Sequence, residues 1–551
     1  LTPFVDALPI PAVAQPVTGV PGGTASYEIP IRQVQQRLHR DLPLTTVWGY
    51  GGTYPGPTIV ASVGQPVTVA WINDLRDESG NYRTTHYLPV DTCVMGATDE
   101  ARVIVHLHGG HVPQSCDGYP EDAFPPGASA TYVYPNRQLP ATLWYHDHAL
   151  GITRLNVIMG LAGFYLLFDD FERSLDLPAG AYEIGLAIQD RTFNSDGSIR
   201  YPAMWEEDYF GDKILVNGKV WPYLNVARGK YRFRLLSGST TRTYTLSLSN
   251  LAPIVQIGTE GGLLPAPVAL SSITLGSGER ADVVIDFAPY APGTEILLLN
   301  SAPAPFPGPP GEGVIPNVMK FIVQDQAGHT APLPAALRPV APINAADAAV
   351  SRDLELRKVS DPCTGARWAI NGLGWQDVTE FPLMGTTEIW RFINRSGMSH
   401  PMHLHLVMFQ VLDRQDYEII GGEVVPVGVP VPPPPGEAGW KDTVMCPPGQ
   451  ITRVACRFEN YTGRYAYHCH ILEHEEHEMM RQFEARCRKG DANQDTRVDA
   501  GDVAPFIEEL VTGPHPGTAA FCASDVDGNG NLDAAVDVAM FVDCLLEVAC
   551  P

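Results

Sequence analysis

A chain of 551 residues exceeds what one ordinary hydrophobic core can organise, so several domains are implied. A net charge of −25 argues against nucleic acid or an anionic membrane surface as partner. With 52 glycines, 50 prolines, 44% hydrophobic and only 18% charged residues, the composition suits many short strands joined by turns.

The chain begins at Leu1 rather than at a methionine and opens without a signal peptide, which reads as a mature, processed form. No window is apolar for long enough to span a bilayer; the best, Val157 to Phe168, is too short and holds two glycines. Ten cysteines without a Cys-x-x-Cys pair favour an oxidising compartment, hence a secreted protein, extracellular or periplasmic, with the cell surface also open. Cys93 and Cys116 flank the first histidine pair and form the first disulfide to expect.

Three segments are versions of one half-buried strand: VTVAWIND (67–74), KYRFRLLS (230–237) and TEIWRFIN (387–394). Turn signals precede each, namely PGPT (55–58), VNGKVWP (216–222) and INGLGW (370–375). The recurrence every 160 residues or so predicts three tandem β-sandwich domains, at 1–172, 173–343 and 344–487. Paired histidines follow the first and third repeats, whereas RTYTLSLSN (242–250) after the second has none, so the middle domain reads as a spacer or wall. VPVGVPVPPPPGEAGW (425–440) is stiff and poor in donors, and is expected to be a surface loop.

Four His-x-His pairs stand out: His106/His108, His146/His148, His403/His405 and His468/His470. On a strand, residues i and i+2 share a face, so each pair can address one metal or two adjacent ones. Eight imidazoles with no carboxylate partner in the motifs suit copper or zinc rather than calcium or magnesium. Cys469 sits between His468 and His470 and therefore faces the other way. Cys469, His474 and Met479, with His400, match the two-histidine, one-cysteine, axial-methionine pattern of a blue copper electron-transfer centre. HILEH (470–474) matches an inverted zinc-protease motif, but that motif needs a helix and would leave the other ligands unexplained. His111 and His477 fit no ligand position and read as loop or rim residues, and Met384, Met398, Met402 and Met408 as core packing.

At residues 40 to 485 the chain resembles the multicopper oxidases, particularly bacterial spore-coat laccases and bilirubin oxidases. The motifs are PGPTI (55–59), HLHGG (106–110), DGYPE (117–121), WYHDH (144–148), ITRLN (152–156), HPMHLHLVMF (400–409), PPPPGEAGWKDT (432–443) and HCHILEHEEHEMM (468–480). The resemblance implies a mainly β chain of cupredoxin-like Greek-key sandwiches and four copper ions. It makes His400, Cys469, His474 and Met479 the type 1 ligands, and His106 and His403 the type 2 ligands. His108, His146, His148, His405, His468 and His470 become the ligands of the type 3 pair. It further implies one-electron oxidation of small phenolic or aromatic donors through the edge of His474, coupled to reduction of O2 to water. Glu475 and Asp117 stand where the family keeps its proton-relaying acids. A bilirubin oxidase, a metallo-oxidase and a catalytically idle copper-binding protein are the alternatives.

The C-terminal 62 residues hold twelve acidic side chains against Arg497 alone, and so eleven of the 25 net negative charges. Asp491, Asn493, Asp495, Arg497 and Asp502 occupy positions 1, 3, 5, 7 and 12 of an EF-hand-type calcium loop. A second copy begins 34 residues later with Asp525, Asp527, Asn529 and Asn531, and closes one residue late at Asp537. Position 6 of the first loop is Thr496 in place of glycine. A helix-like apolar segment follows each loop. Residues 488–551 thus resemble a type I dockerin, which implies a small α-helical module, bound Ca2+ and a cohesin-like scaffold partner.

Overall fold

The computed structural model describes residues 1–513, 515–546 and 550, and is dominated by β-sheet. The three repeated segments are all strands, Val67–Asn73, Lys230–Ser237 and Thr387–Asn394. Each sits in the same local topology. Upstream, each pairs in parallel with a longer strand: Ala25–Gln36, Glu183–Arg191 and Ala348–Asp361 respectively. Downstream, each pairs antiparallel with Ser129–Tyr134, Arg280–Asp286 and Gln450–Arg457. A separate core packs under each arrangement, centred on Trp71 and Tyr145, on Phe233 and Phe321, and on Trp390 and Phe483.

The first repeat alternates as a half-buried strand should, with Val67, Val69 and Trp71 fully inside. The second does not. Tyr231 to Ser237 are buried on both faces, because Arg232 and Arg234 turn into an ionic cluster with Glu172, Glu183 and Asp282. Paired charges can be buried where unpaired ones cannot, so a strand patterned like its siblings ends up enclosed.

Histidine pairs lie on two small sheets. Val105–His108 pairs antiparallel with Thr142–Asp147, placing His106 opposite His146. His400–Leu404 pairs with Gly463–Cys469, placing His403 opposite His468. Period-two strands turn both members of each His-x-His pair to one face, and the two sheets bring all four pairs together.

The expected disulfide between Cys93 and Cys116 is not formed. Cys93 pairs with Cys363, 270 residues away, tying the loop before the first histidine pair to the turn after Ala348–Asp361. Cys116 is buried and unpaired, accepting a hydrogen bond from the Val133 amide. Cys487–Cys522 and Cys544–Cys550 are the other bridges among the described residues.

Past Cys487 the chain is helical, with Val503–Thr512, Ala519–Ser524 and Asp537–Leu545 packed around stacked Phe506 and Phe541. Val503–Thr512 and Asp537–Leu545 follow the two acidic loops as the sequence predicts, whereas Ala519–Ser524 precedes the second loop. The module docks on the body: the Ala519 amide donates to the Asn460 carbonyl, and Gln494 Oε1 accepts from the Asn460 amide.

Candidate metal centre

Cys469 is fully buried, with Sγ 3.5 Å from His400 Nδ1 and 3.8 Å from His474 Nδ1, and those two nitrogens stand 3.3 Å apart. Three donor atoms therefore converge on one point. Outer contacts orient the rings: Ser396 Oγ lies 2.8 Å from His400 Nε2, and Trp368 packs against both rings. Met479 is fully buried on the same loop, its backbone bonded to Cys469 and His474. Burial pushes the Cys469 thiol well above its ordinary range, so it ionises only against a cation placed beside it.

One residue to either side, His468 and His470 face away from Cys469 into a second cavity with the other six histidines. Ring centroids are 3.8 Å apart for His106 and His405, 3.7 Å for His108 and His403, 4.9 Å for His148 and His468, and 5.3 Å for His146 and His470. All eight are buried. His148, His405 and His468 bring ligand nitrogens within 4.8 Å of one another, as do His106, His403 and His405. Desolvation pushes His146, His403 and His405 well below the usual imidazole range, and His148 and His470 down to about 3. Neutral imidazole is the metal-binding form.

Each ring has one nitrogen held from outside, as metal-binding histidines do. His106, His146 and His403 use Nδ1 on the carbonyls of Asp117, Asp147 and Asp442, and their Nε2 atoms are buried without a partner. His405 Nδ1 lies 2.8 Å from Asp117 Oδ2. Glu475 stands 3.0 Å from His468 Nδ1 and 3.5 Å from His148 Nδ1. Burial opposes the Glu475 charge, but His468 and His148 outweigh it and hold the carboxyl at about 2. Asp117 is depressed likewise by His405 and His106. Orphaned, buried, inward-facing imidazole nitrogens and a soft thiol fit copper; calcium and magnesium would need oxygen donors.

His111 and His477, set aside as rim residues, are structural. His111 bonds the Leu406 carbonyl and Asn460, while His477 stacks 3.6 Å from Trp205 and bonds Thr364. Sequence reasoning missed Asp208, 3.5 Å from His474 Nε2, and Asp442, 3.0 Å from His108 Nε2. Asp442 carried a signal, standing in the quoted PPPPGEAGWKDT motif; Asp208, in an acidic stretch between two aromatics, carried none.

In the tail, both loops fold alike. Asp491 accepts from the amides of Asp495 and Thr496, and Asp525 from those of Asn529 and Gly530. The closing acids act alike too: Asp502 accepts from the Asn493 amide and Asp537 from that of Asp527, so the one-residue delay is absorbed. Asn493 and Asp495, like Asp527 and Asn529, cap amides within their loops, and Arg497 and Asn531 donate theirs to Asp495 and Asn529. Burial and the nearby Asp502 push Asp491 up to about 6.

A cysteine–dihistidine pocket one residue from an eight-imidazole cavity, both carried on packed β-sheets, is the layout of a copper oxidoreductase with separate electron-entry and oxygen sites. Family models described as multicopper oxidase match residues 94–171 and 356–488. Laccases of Bacillus stratosphericus and Bacillus subtilis are 44% and 43% identical over 517 residues, covering 87% of this chain and 98% of each relative. The structure of the multicopper oxidase McoA from Aquifex aeolicus aligns with a TM-score of 0.72 at 28% identity, over 88% of this chain and all of that one. The chain belongs to the multicopper oxidase family, with its cupredoxin-like fold. It is a laccase-like oxidoreductase that uses oxygen.

Proposed function

We propose that Cys469, His400, His474 and Met479 hold a type 1 copper and that His106 and His403 hold a type 2 copper. His148, His405 and His468 would take one type 3 ion, and His108, His146 and His470 the other. Bound copper would supply one-electron acceptance from phenolic or aromatic donors and four-electron reduction of O2 to water. The observation that carries this reading is the Cys469 thiol beside His400 and His474, with its two sequence neighbours in the histidine cavity. His468–Cys469–His470 is thereby a covalent link between the two pockets.

The protein's own groups manage donor approach and protons. Asp208, its side chain 22% exposed, lies at His474 Nε2 and marks the edge at which a donor arrives. Glu475 and Asp117, each in contact with two cavity histidines, are placed to hold and pass protons inward. A metallo-oxidase reading draws on Glu206, Glu207 and Asp208, three consecutive acids of which the last lies 3.5 Å from His474 Nε2.

The threefold recurrence of strand pairing supports domains at 1–172, 173–343 and 344–487, followed by the module at 488–551. The twin loops support calcium at both: Asp491, Asn493, Asp495, Arg497 and Asp502 in one, Asp525, Asp527, Asn529, Asn531 and Asp537 in the other. With that goes a dockerin-like module for a cohesin-like scaffold. The disulfides support secretion.

Oxygen uptake by the copper-loaded protein tests the central reading, with a methoxyphenol, bilirubin, Cu(I) and Mn(II) as donors. Fast uptake with organic donors and no released peroxide is expected. Uptake with metal ions alone would move the assignment to a metallo-oxidase. A fully loaded blue protein with no uptake would leave an idle copper-binding protein.

A further inference from the structure

Residues 276–280 belong to the stretch of chain without paired histidines, yet they abut the histidine cavity. Ser277 Oγ donates to the Ser239 carbonyl at 2.5 Å and lies 3.2 Å from His470 Nδ1, so it accepts that ring's N–H. Gly278 has φ +82°, and a Cβ there would stand 2.7 Å from the His470 ring. Arg280 uses four of its five N–H groups: Nε donates to the Thr142 carbonyl, Nη1 to the Gly278 carbonyl and to Asp442 Oδ1 at 2.7 Å, and Nη2 to Asp442 Oδ2. Asp442 in turn accepts from His108 Nε2 at 3.0 Å, and its backbone carbonyl accepts from His403 Nδ1 at 2.8 Å. Gly109, at φ +83°, makes room for this pair, since a Cβ there would lie 2.5 Å from Asp442 Oδ2 and 2.8 Å from Arg280 Nη2.

The consequence is specific to His108. Six of the other seven cavity histidines are hydrogen-bonded from outside at Nδ1, His148 Nδ1 lies 3.5 Å from Glu475 Oε1, and all seven turn Nε2 inward. His108 is held at Nε2, and its buried, unpartnered Nδ1 faces the cavity. Turning the ring over would strip Asp442 of its imidazole donor, and a buried carboxylate resists that loss.

We propose that Arg280, acting through Asp442, and Ser277 are positioning residues for the histidine cavity, holding the rings of His108, His403 and His470 in the orientations they have here. The inference rests on the copper assignment above. The middle of the chain is then no spacer but supplies part of the shell that shapes the oxygen site.

Four variants of the full chain, purified and copper-loaded, test it: Asp442→Asn, the charge-neutral double Arg280→Met/Asp442→Leu, Ser277→Ala and Arg280→Lys. Copper per chain after a chelator challenge, the blue thiolate-to-copper absorption and the electron paramagnetic resonance of the type 2 ion are read together. Cavity copper retention should fall 10–100-fold in the Asp442 variants, the range for lost outer partners. The blue absorption should persist, and Ser277→Ala should lower cavity copper retention while folding normally. Arg280→Lys, which keeps the charge but loses the planar fork, should fall between wild type and the double variant. Folded variants that keep full copper and a wild-type resonance would overturn the proposal. Should the Asp442 variants not fold, unchanged cavity copper retention in Ser277→Ala would overturn it alone. A wild-type protein that takes up no cavity copper would instead overturn the copper assignment.

Discussion

Replacing Cys93 and Cys363 by serine removes the bridge between the first and third sheet systems. The bond closes a loop of about 270 residues. In the chain-entropy model, closure of that length restricts the unfolded state by roughly 5–6 kcal/mol at 25 °C, a ceiling that native adjustments reduce toward the usual 2–4. The effect should concentrate near the type 1 pocket, because Thr364, next to Cys363, bonds His477, whose ring stacks on Trp205. Urea unfolding of wild-type and C93S/C363S proteins, followed by fluorescence and by loss of the blue absorption, reads the difference. A midpoint lowered by the equivalent of 2 kcal/mol or more is expected. An unchanged midpoint, or non-reducing peptide maps that join Cys93 to Cys116, would refute the reasoning.

Cys469→Ser should abolish the blue absorption and turnover yet leave three coppers per chain by mass spectrometry; loss of all four would break the two-pocket division. His86 is buried against Trp48 and Asn156, and desolvation lowers it from 6.5 to about 4. The unfolded chain therefore binds the extra proton first as pH falls. His86 stability is complete above about pH 6.5 and is lost as pH drops through 4, by about 3 kcal/mol. His86→Gln should flatten the midpoint-versus-pH curve between 7 and 4, and a parallel curve would contradict this. Calcium at 100 times its dissociation constant should stabilise residues 488–546 by about 2.7 kcal/mol, detected as protected amide exchange in Val503–Thr512 that a chelator reverses. Exchange indifferent to calcium would remove the calcium assignment.

The clustering of these side chains was legible because metal coordination demands particular atoms at strand spacing, and few other pressures produce four His-x-His pairs around one Cys. Repeated strands were legible for a related reason, since a half-buried strand must alternate. What failed to show was whatever depends on distant pieces meeting. Cys363 lies 270 residues from Cys93, and the proximity of Cys116 in sequence counted for nothing once Cys116 turned inward beside Val133. Lys230–Ser237 looked half-exposed because its arginines are polar, and only their acidic partners from three other segments make burial tolerable. Ser277 and Arg280 carry no motif; their role exists only where they touch His470 and Asp442.

That division of labour has a thermodynamic consequence. The cavity's histidines come from the first and third sheet systems, and their outer partners from all three: Asp117, then Ser277 and Arg280, then Asp442 and Glu475. An ion bound there contacts histidines that meet only when the first and third are docked, with outer partners from the middle one, so it binds the docked state alone. At 100 times the dissociation constant each such ion adds about 2.7 kcal/mol to docking and nothing to the separate cores. Without copper, the three cores should unfold in resolved calorimetric steps, as domains joined by modest interfaces do. With copper, the steps should merge and move upward together. A single transition at one temperature in both states would mean that docking is already stronger than the cores. The cavity would then be a passenger of the fold rather than one of its fastenings.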